Sequence, residues 1–211
     1  MRIGIIGAGK IGATAARLWI ESGHEVALSN SRGPASLREL VAELGPGARA
    51  MKVADAARFG EVVLLAVPWH LEDALPAAKS VEGKIVIDAM NPYRPEGGFY
   101  EMGNSTSSEE VLKRLRGARL VKALNSISYK DLAERPRRDL PLGERLAVYI
   151  AGDDPDAKSL VANLIVDLGF APVDTGSLRE GGRLQQPESA IFNLALTARE
   201  ARAFLAGELK R

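Results

Sequence analysis

The chain has 211 residues, 46% apolar and 26% charged, which suits one large domain or one domain with a small appendage. Its 28 Lys and Arg balance 27 Asp and Glu, so a net charge of +1 gives no broad attraction for nucleic acid or an anionic membrane. Cysteine is absent, which excludes disulfides, thiolate metal sites and a cysteine nucleophile; two histidines are too few for a metal cluster.

Residues 1–6 start like a signal peptide, with Arg2 as the charge, but turn at once into a glycine-rich loop. No apolar run reaches the roughly 18 residues of a membrane span. The match to an N-glycosylation pattern at Asn104-Ser105-Thr106 reads as chance in a polar loop. The expectation is a soluble, cytoplasmic protein with no nucleic-acid or membrane partner.

In chain order, Ile3 to Ile6 reads as a strand buried on both faces. Ile11, Ala15, Leu18, Trp19 and Ser22 then follow helical spacing, which Gly23 ends. A second strand covers 25–29, and a helix opens at Pro34 and closes at Gly45. A weaker strand is expected over 48–53, a stronger one over 62–67, a helix over about 69–79 and a strand over 85–87. A polar loop with three glycines spans 94–106, and Ser107-x-x-Glu110 reads as the capping box of the next helix. Further strands cover 120–124, 145–151 and 170–174, with a helix from Asp154-Pro155 to near Gly169 between the last two. Such alternation predicts an α/β fold, a doubly wound parallel Rossmann-type sheet. Its domain would cover 1–176. Residues 177–211 would form a C-terminal helical appendage, not an independent domain, dominated by one long helix over about 187–209. That helix would carry Ile191, Leu194, Ala198, Ala201 and Leu205 as an apolar stripe seeking a second subunit, hence a homodimer.

Gly7-Ala8-Gly9-Lys10-Ile11-Gly12 is G-x-G-x-x-G between an expected strand and an expected helix, the context that turns a weak pattern into a dinucleotide site. Gly7 permits the tight turn, Gly9 the approach of a pyrophosphate, and Gly12 close packing of helix on strand. The helix N-terminus supplies N–H groups and partial positive charge for the phosphates. At the end of the second strand, NAD sites usually carry a carboxylate for the ribose 2′-hydroxyl. Here stand Ser29, Asn30, Ser31 and Arg32, donors suited to a 2′-phosphate, each charge-assisted bond being worth about 1.5–3 kcal/mol. The dinucleotide is read as NADP(H); the alternative is a solvated turn with an incidental arginine.

The start Met1 to Gly12, the segment Asn30-Ser31-Arg32-Gly33-Pro34, Ala66-Val67-Pro68-Trp69, Asp88-Ala89-Met90-Asn91-Pro92 and Val121-Lys122-Ala123-Leu124-Asn125 resemble the F420-dependent NADP oxidoreductase family. The resemblance covers most of the chain and implies hydride movement between NADP(H) and the deazaflavin coenzyme F420. Membrane metalloreductases have a related cytosolic domain that passes hydride to an ordinary flavin, so the implied acceptor is coenzyme F420 or FMN/FAD.

Taken alone, the residues agree. Ligands of an open α/β sheet lie beyond the carboxyl ends of its strands, where Val67, Pro68 and Trp69, then Asn91, then Asn125 fall. The asparagines are suited to a carboxamide or a flavin-like ring edge and Trp69 to stacking. Equally, Pro68 suits a helix start, Trp69 a hydrophobic lid and the asparagines turns. No catalytic acid–base residue stands out, and His70 is a weaker candidate for the site. Hydride transfer between two cofactors needs mainly alignment and exclusion of water. The 94–106 loop reads either as a closure over a second ligand or as a disordered surface loop. Two other readings stay open: a reductase of a small imine or carbonyl substrate, for which the appendage is small, and a non-enzymatic NADP(H) sensor.

Overall fold

A computed structural model describes residues 1–69 and 74–207. The strands are β1 Arg2–Ile6, β2 Glu25–Ser29, β3 Ala48–Ala50, β4 Val62–Leu65, β5 Ile85–Asp88, β6 Arg119–Ala123, β7 Ala147–Gly152 and β8 Ala171–Asp174. They form one sheet in the order β3-β2-β1-β4-β5-β6-β7-β8. Chain direction along the sheet switches between β1 and β4, where an open α/β sheet leaves a crevice for ligands. Every residue of β4, β5 and β7 is buried, as strands covered on both faces require.

One face carries α1 Lys10–Glu21, α2 Arg38–Leu44, α5 Tyr129–Glu134 and α6 Pro155–Asp167, packed on Ile3, Ile5, Leu28, Leu64 and Ile87. Trp19 is wholly buried there, its indole N–H donating to the Leu164 carbonyl at 3.0 Å, which ties α1 to α6. The other face carries α3 Val53–Phe59, α4 Ser107–Arg114 and α7 Glu180–Leu184 over Ile6, Val63, Leu65 and Val86. At Gly4 a side chain would run into the Ala56 carbonyl, so the glycine lets α3 lie directly on β1.

The sheet is mixed, not all-parallel: β7 is antiparallel to β6, with Ala123 opposite Ile150, and β8 then runs parallel to β7. A six-residue α5 rises only about 9 Å and does not carry the chain back along a strand of about 17 Å. The rest of the connection, residues 135–146, stays at the end where β6 finishes, and β7 enters there. The strand expected over 48–53 stops at Ala50, and Val53 opens α3 instead, with Asp55 in its first turn paired to Arg58 at 2.6 Å. The capping box of α4 is Thr106 with Glu109, one residue before the expected pair. Of the helix expected over 69–79, residues 70–73 lie outside the described residues. The described remainder includes a 3-10 turn at Ala78–Ser80, and Pro76 before it has no N–H for a helical ladder.

The long C-terminal helix is replaced by turns and a shorter α8, Ala198–Leu205, capped by Thr197 and Glu200; Leu209 lies outside the described residues. Glu188 and Asn193 take left-handed conformations, φ 66° and 53°, which no continuous helix accepts. Ile191, Ala198 and Ala201 are buried against Ala147, Tyr149 and Val173 of this chain's own sheet, with Leu205 packed beside them. The stripe that called for a second subunit is largely covered within the chain. Among the described residues no helix is long and apolar enough to cross a membrane, and no cluster of His, Asp or Glu could hold a metal ion.

Candidate active site

The glycine loop has three different steric situations. Gly7 has φ +109°, and a Cβ there would strike the Ala66 carbonyl; at Gly12 it would strike the carbonyl of Gly7. These two positions hold β1, β4 and α1 together. Gly9 is different: a Cβ would meet nothing within 4 Å, because the residue faces the open cleft. It is also the N-cap of α1, with no side-chain cap and no acidic residue in the first turn. The helix start thus faces the cleft with its positive end uncompensated, a cradle that fits a pyrophosphate.

At the end of β2, Asn30 organises the turn. Its Oδ1 accepts the Arg32 N–H at 3.0 Å, and its Nδ2 donates to the Ser36 hydroxyl at 2.9 Å. Gly33, at φ +86°, then starts the 3-10 segment Pro34–Leu37. Ser31 and Arg32 are exposed, and among the described residues no carboxylate pairs with Arg32. Ser29 departs from its expected role: it is fully buried and its hydroxyl donates to the Ile5 carbonyl at 3.0 Å, which removes it from the donors available to a phosphate.

Beyond the ends of β4, β5 and β6 lie two adjoining cavities with Ile11, Ala66, Pro68, Ala89, Asn91 and Tyr93 as their common wall. The larger, about 560 Å³, reaches Gly9 and Lys10 on one side and Asn125, Tyr129 and Phe192 on the other. The smaller, about 280 Å³, is closed by Val67, Trp69, Met90 and Arg94. Of the expected site residues, Gly9, Lys10, Ile11, Val67, Pro68, Trp69, Asn91 and Asn125 come together here. Gly7 and Gly12 stand behind them, and the β2 end lies outside both cavities. His70 lies outside the described residues.

The two asparagines pair with each other. Asn91 Nδ2 donates to the Asn125 carbonyl at 2.8 Å, and Asn125 Nδ2 donates to Asn91 Oδ1 at 3.1 Å and to the Gln185 carbonyl at 2.7 Å. With both amide protons of Asn125 spent on acceptors, its orientation is fixed. Its Oδ1 is buried without a hydrogen-bond partner among the described residues. Leu124 before it holds φ +64°, a costly conformation for an L-residue with a bulky side chain, and it turns the chain after β6. The 94–106 loop begins as a tight hairpin: Tyr93 bridges Phe99, and Tyr100, bonded through its N–H to the Pro92 carbonyl at 2.7 Å, sets its ring 5.3 Å from that of Trp69.

Several groups escaped sequence reasoning. Tyr129 lines the larger cavity with the Lys10 ammonium 3.9 Å from its ring centroid, and hydrogen bonding from Lys10 together with its charge pulls the phenol below its ordinary pKa. Burial pushes the Tyr93 phenol up. Phe192 and Asn193 arrive from the C-terminal turns, fixed by the Asn193 N–H donating to the Ser126 carbonyl at 3.0 Å. Below the site Lys122 and Asp88 are both fully buried, 3.6 Å apart. Burial lowers the Lys122 ammonium pKa while the neighbouring Asp88 opposes that shift. Tyr93 sits next to a recognised motif, and Lys122 within one; nothing near Phe192 in sequence marks it.

Comparison with known proteins agrees with this geometry. Residues 2–92 match the model of the family described as NADP oxidoreductase, coenzyme F420-dependent. Over 178 residues the chain is 32% identical to the rat metalloreductase STEAP3, covering 84% of this chain but 34% of that protein, so it spans about a third of the length of this relative. Two solved structures follow it nearly end to end. A hypothetical protein of Sinorhizobium meliloti is 34% identical with a TM-score of 0.79, covering 93% of this chain and 95% of that one. A protein of Arthrobacter sp. FB24, proposed as an F420-dependent NADP-reductase, is 27% identical with a TM-score of 0.74, covering 87% and 89%. Glycine loop, sheet order and crevice thus recur in known proteins, and residues 2–92 carry the match to the coenzyme F420-dependent NADP oxidoreductase family.

Proposed function

We propose that the chain binds NADPH across the crevice and aligns its nicotinamide for direct hydride transfer with a deazaflavin or flavin ring. The observation that supports this best is the pair of cavities sharing one wall at the strand ends, one of them reaching the glycine loop. Two flat rings that exchange hydride need adjoining slots more than they need acid–base groups. Among the described residues, neither cavity is lined by a carboxylate or an imidazole.

Bound NADPH supplies the hydride from nicotinamide C4; the chain binds, orients and excludes water. The N-terminus of α1 and Gly9 take the pyrophosphate, and Ser31 with Arg32 take the 2′-phosphate, helped by the Asn30 turn. Asn91 and Asn125 hold the nicotinamide end. Pro68, Trp69 and Tyr93 wall the rings off from solvent. The resemblance of the family model and of the Arthrobacter protein to deazaflavin chemistry, and of STEAP3 to metalloreduction, keeps both ring types as acceptors.

The test is transfer from NADPH carrying deuterium at both C4 positions. With F420 the label is expected at the ring carbon C5, which does not exchange with water, and is read by mass spectrometry; with FMN or FAD, whose N5–H exchanges at once, a primary deuterium isotope effect on acceptor reduction reads the same step. Label lost wholly to water from F420, or no isotope effect on flavin reduction in single turnovers, would count against direct transfer to that ring, and failure to reduce any of the three would favour a sensor that binds NADP(H) without turnover.

A further inference from the structure

A charged pair in the middle of a sheet is costly, and Lys122 and Asp88 sit side by side in register on β6 and β5 with no exposure at all. Replacing such a pair by apolar groups of similar size often leaves a protein as stable or more so, so stability alone does not account for it. The contacts do. Asp88 Oδ1 accepts the Met90 N–H at 3.0 Å, and Lys122 Nζ donates to the Met90 carbonyl at 3.3 Å. Both main-chain polar groups of Met90 are thereby tied to the pair. The same two side chains reach the start of α4, Asp88 accepting the Ser108 hydroxyl at 2.6 Å and Lys122 donating to the Ser107 hydroxyl at 3.3 Å.

The residue after Met90 is Asn91, locked to Asn125 through two reciprocal hydrogen bonds. On the other strand, Lys122 stands two residues before the left-handed Leu124 that delivers Asn125. We infer that Lys122 and Asp88 are positioning residues: by clamping Met90 they set the place and angle of the Asn91–Asn125 couple at the cavity wall. The inference rests on the reading of these cavities as the hydride-transfer site. A reacting geometry has to be held within about 0.5 Å by neighbours that are themselves fixed. The bond to the Met90 carbonyl is the one that needs a long buried donor, and Lys122 supplies it.

The experiment compares the full-length wild type with D88N/K122M and D88N/K122Q. Both variants remove the charges; the glutamine keeps an N–H donor on the same side chain, one bond shorter than the lysine's. D88N/K122M is expected to melt cooperatively and bind NADPH within about threefold of wild type, because the pyrophosphate and 2′-phosphate contacts lie elsewhere. Its kcat for hydride transfer is expected to fall between about tenfold and a hundredfold, the scale of a small misalignment. The side-chain amide signals of Asn91 and Asn125 in 15N NMR, expected to exchange slowly in the wild type because they are hydrogen-bonded, should shift and lose protection. D88N/K122Q should regain part of both. Unchanged amide signals and unchanged kcat in D88N/K122M overturn the proposal. If D88N/K122M does not fold, Asp88→Glu, which keeps both charges and moves the carboxylate by one methylene, should shift the same amide signals and lower kcat; unchanged values there overturn it equally. A wild type that reduces no acceptor would refute the functional reading, while the NMR comparison would still decide whether the pair positions the asparagines.

Discussion

The two ends of the proposed nucleotide cleft are built in opposite ways. At the end of β2 the groups that would meet a 2′-phosphate come from a few consecutive residues, Asn30 to Ser36, and are organised by the Asn30 side chain bonding its own turn. They are exposed, and the rest of the fold asks little of them. At the ends of β5 and β6 the groups come from four distant parts of the chain: Asn91, Asn125 with Tyr129, Gln185, and Phe192 with Asn193. They are held by a strained Leu124 and by a charge pair with no solvent exposure. The first end can choose between two dinucleotides at little structural cost. The second, on the proposed reading, would have to place a ring to a fraction of an ångström, which takes a network fixed from several sides.

The glycine loop lies between the two ends and offers the sharpest break. Gly9→Asp is expected to fold, since its Cβ meets nothing and its backbone, φ −82° and ψ −167°, suits any residue. Aspartate is even a good N-cap. It would set a carboxylate where the pyrophosphate belongs; one like charge at about 4 Å costs roughly 4 kcal/mol near a protein surface, about a thousandfold in affinity. Calorimetric titration beside a thermal melt checks both halves: no measurable NADPH binding, with the melting temperature unchanged or raised. NADPH binding at wild-type strength would move the pyrophosphate away from α1.

The same contrast governs what sequence shows. Strand and helix alternation, the glycine loop and the β2 end are local patterns, and β2 and α6 fall where spacing and caps put them. The reversal of β7 was hidden because direction depends on where a connection ends in space, not on the strand's own residues. The long C-terminal helix was over-read because Ile191 and Ala201 share a helical period by chance, while the left-handed Asn193 breaks the chain between them. Ser29 looked like a phosphate donor by its place at the end of β2, but its side chain is inside the sheet. Asn91 and Asn125 were visible singly; their pairing, and the clamp beneath them, were not, because all of their bonds except Asp88 to Met90 join residues fifteen or more apart.

Arg32→Ala sharpens the comparison from the local side. Arg32 is exposed and, among the described residues, has no carboxylate partner, so removing it should leave the fold untouched. NADPH is expected to bind about 1.5–3 kcal/mol more weakly, and NADH to be nearly unaffected. Titration of both nucleotides against both proteins is sufficient. A loss shared equally by NADH would show that Arg32 serves something other than the 2′-phosphate, and wild type with equal affinity for the two would remove NADP(H) preference altogether.

The smallest effect joins the two ends. Lys10 belongs to the glycine loop and Tyr129 to the assembled end, and the ammonium rests on the phenol ring at 3.9 Å. Lys10 is the main reason the Tyr129 phenol is depressed; Lys130 adds to the shift and Glu134 opposes it. A pyrophosphate at α1 should draw Lys10 away, and the phenol should then return toward its ordinary value of about 10. Between the depressed and the restored pKa, the free protein carries an ionised phenol and the complex a neutral one, so binding takes up a proton. Linkage then requires NADPH affinity to fall as pH rises through that window and to be independent of Tyr129 below it. Calorimetry in buffers of different ionisation enthalpy measures the uptake directly. Tyr129→Phe should abolish it and leave affinity at neutral pH within about threefold, as expected for an exposed group in a screened pair. Equal proton uptake in Tyr129→Phe and wild type would mean that Lys10 stays on the ring when the nucleotide binds, and that the two ends work without this link.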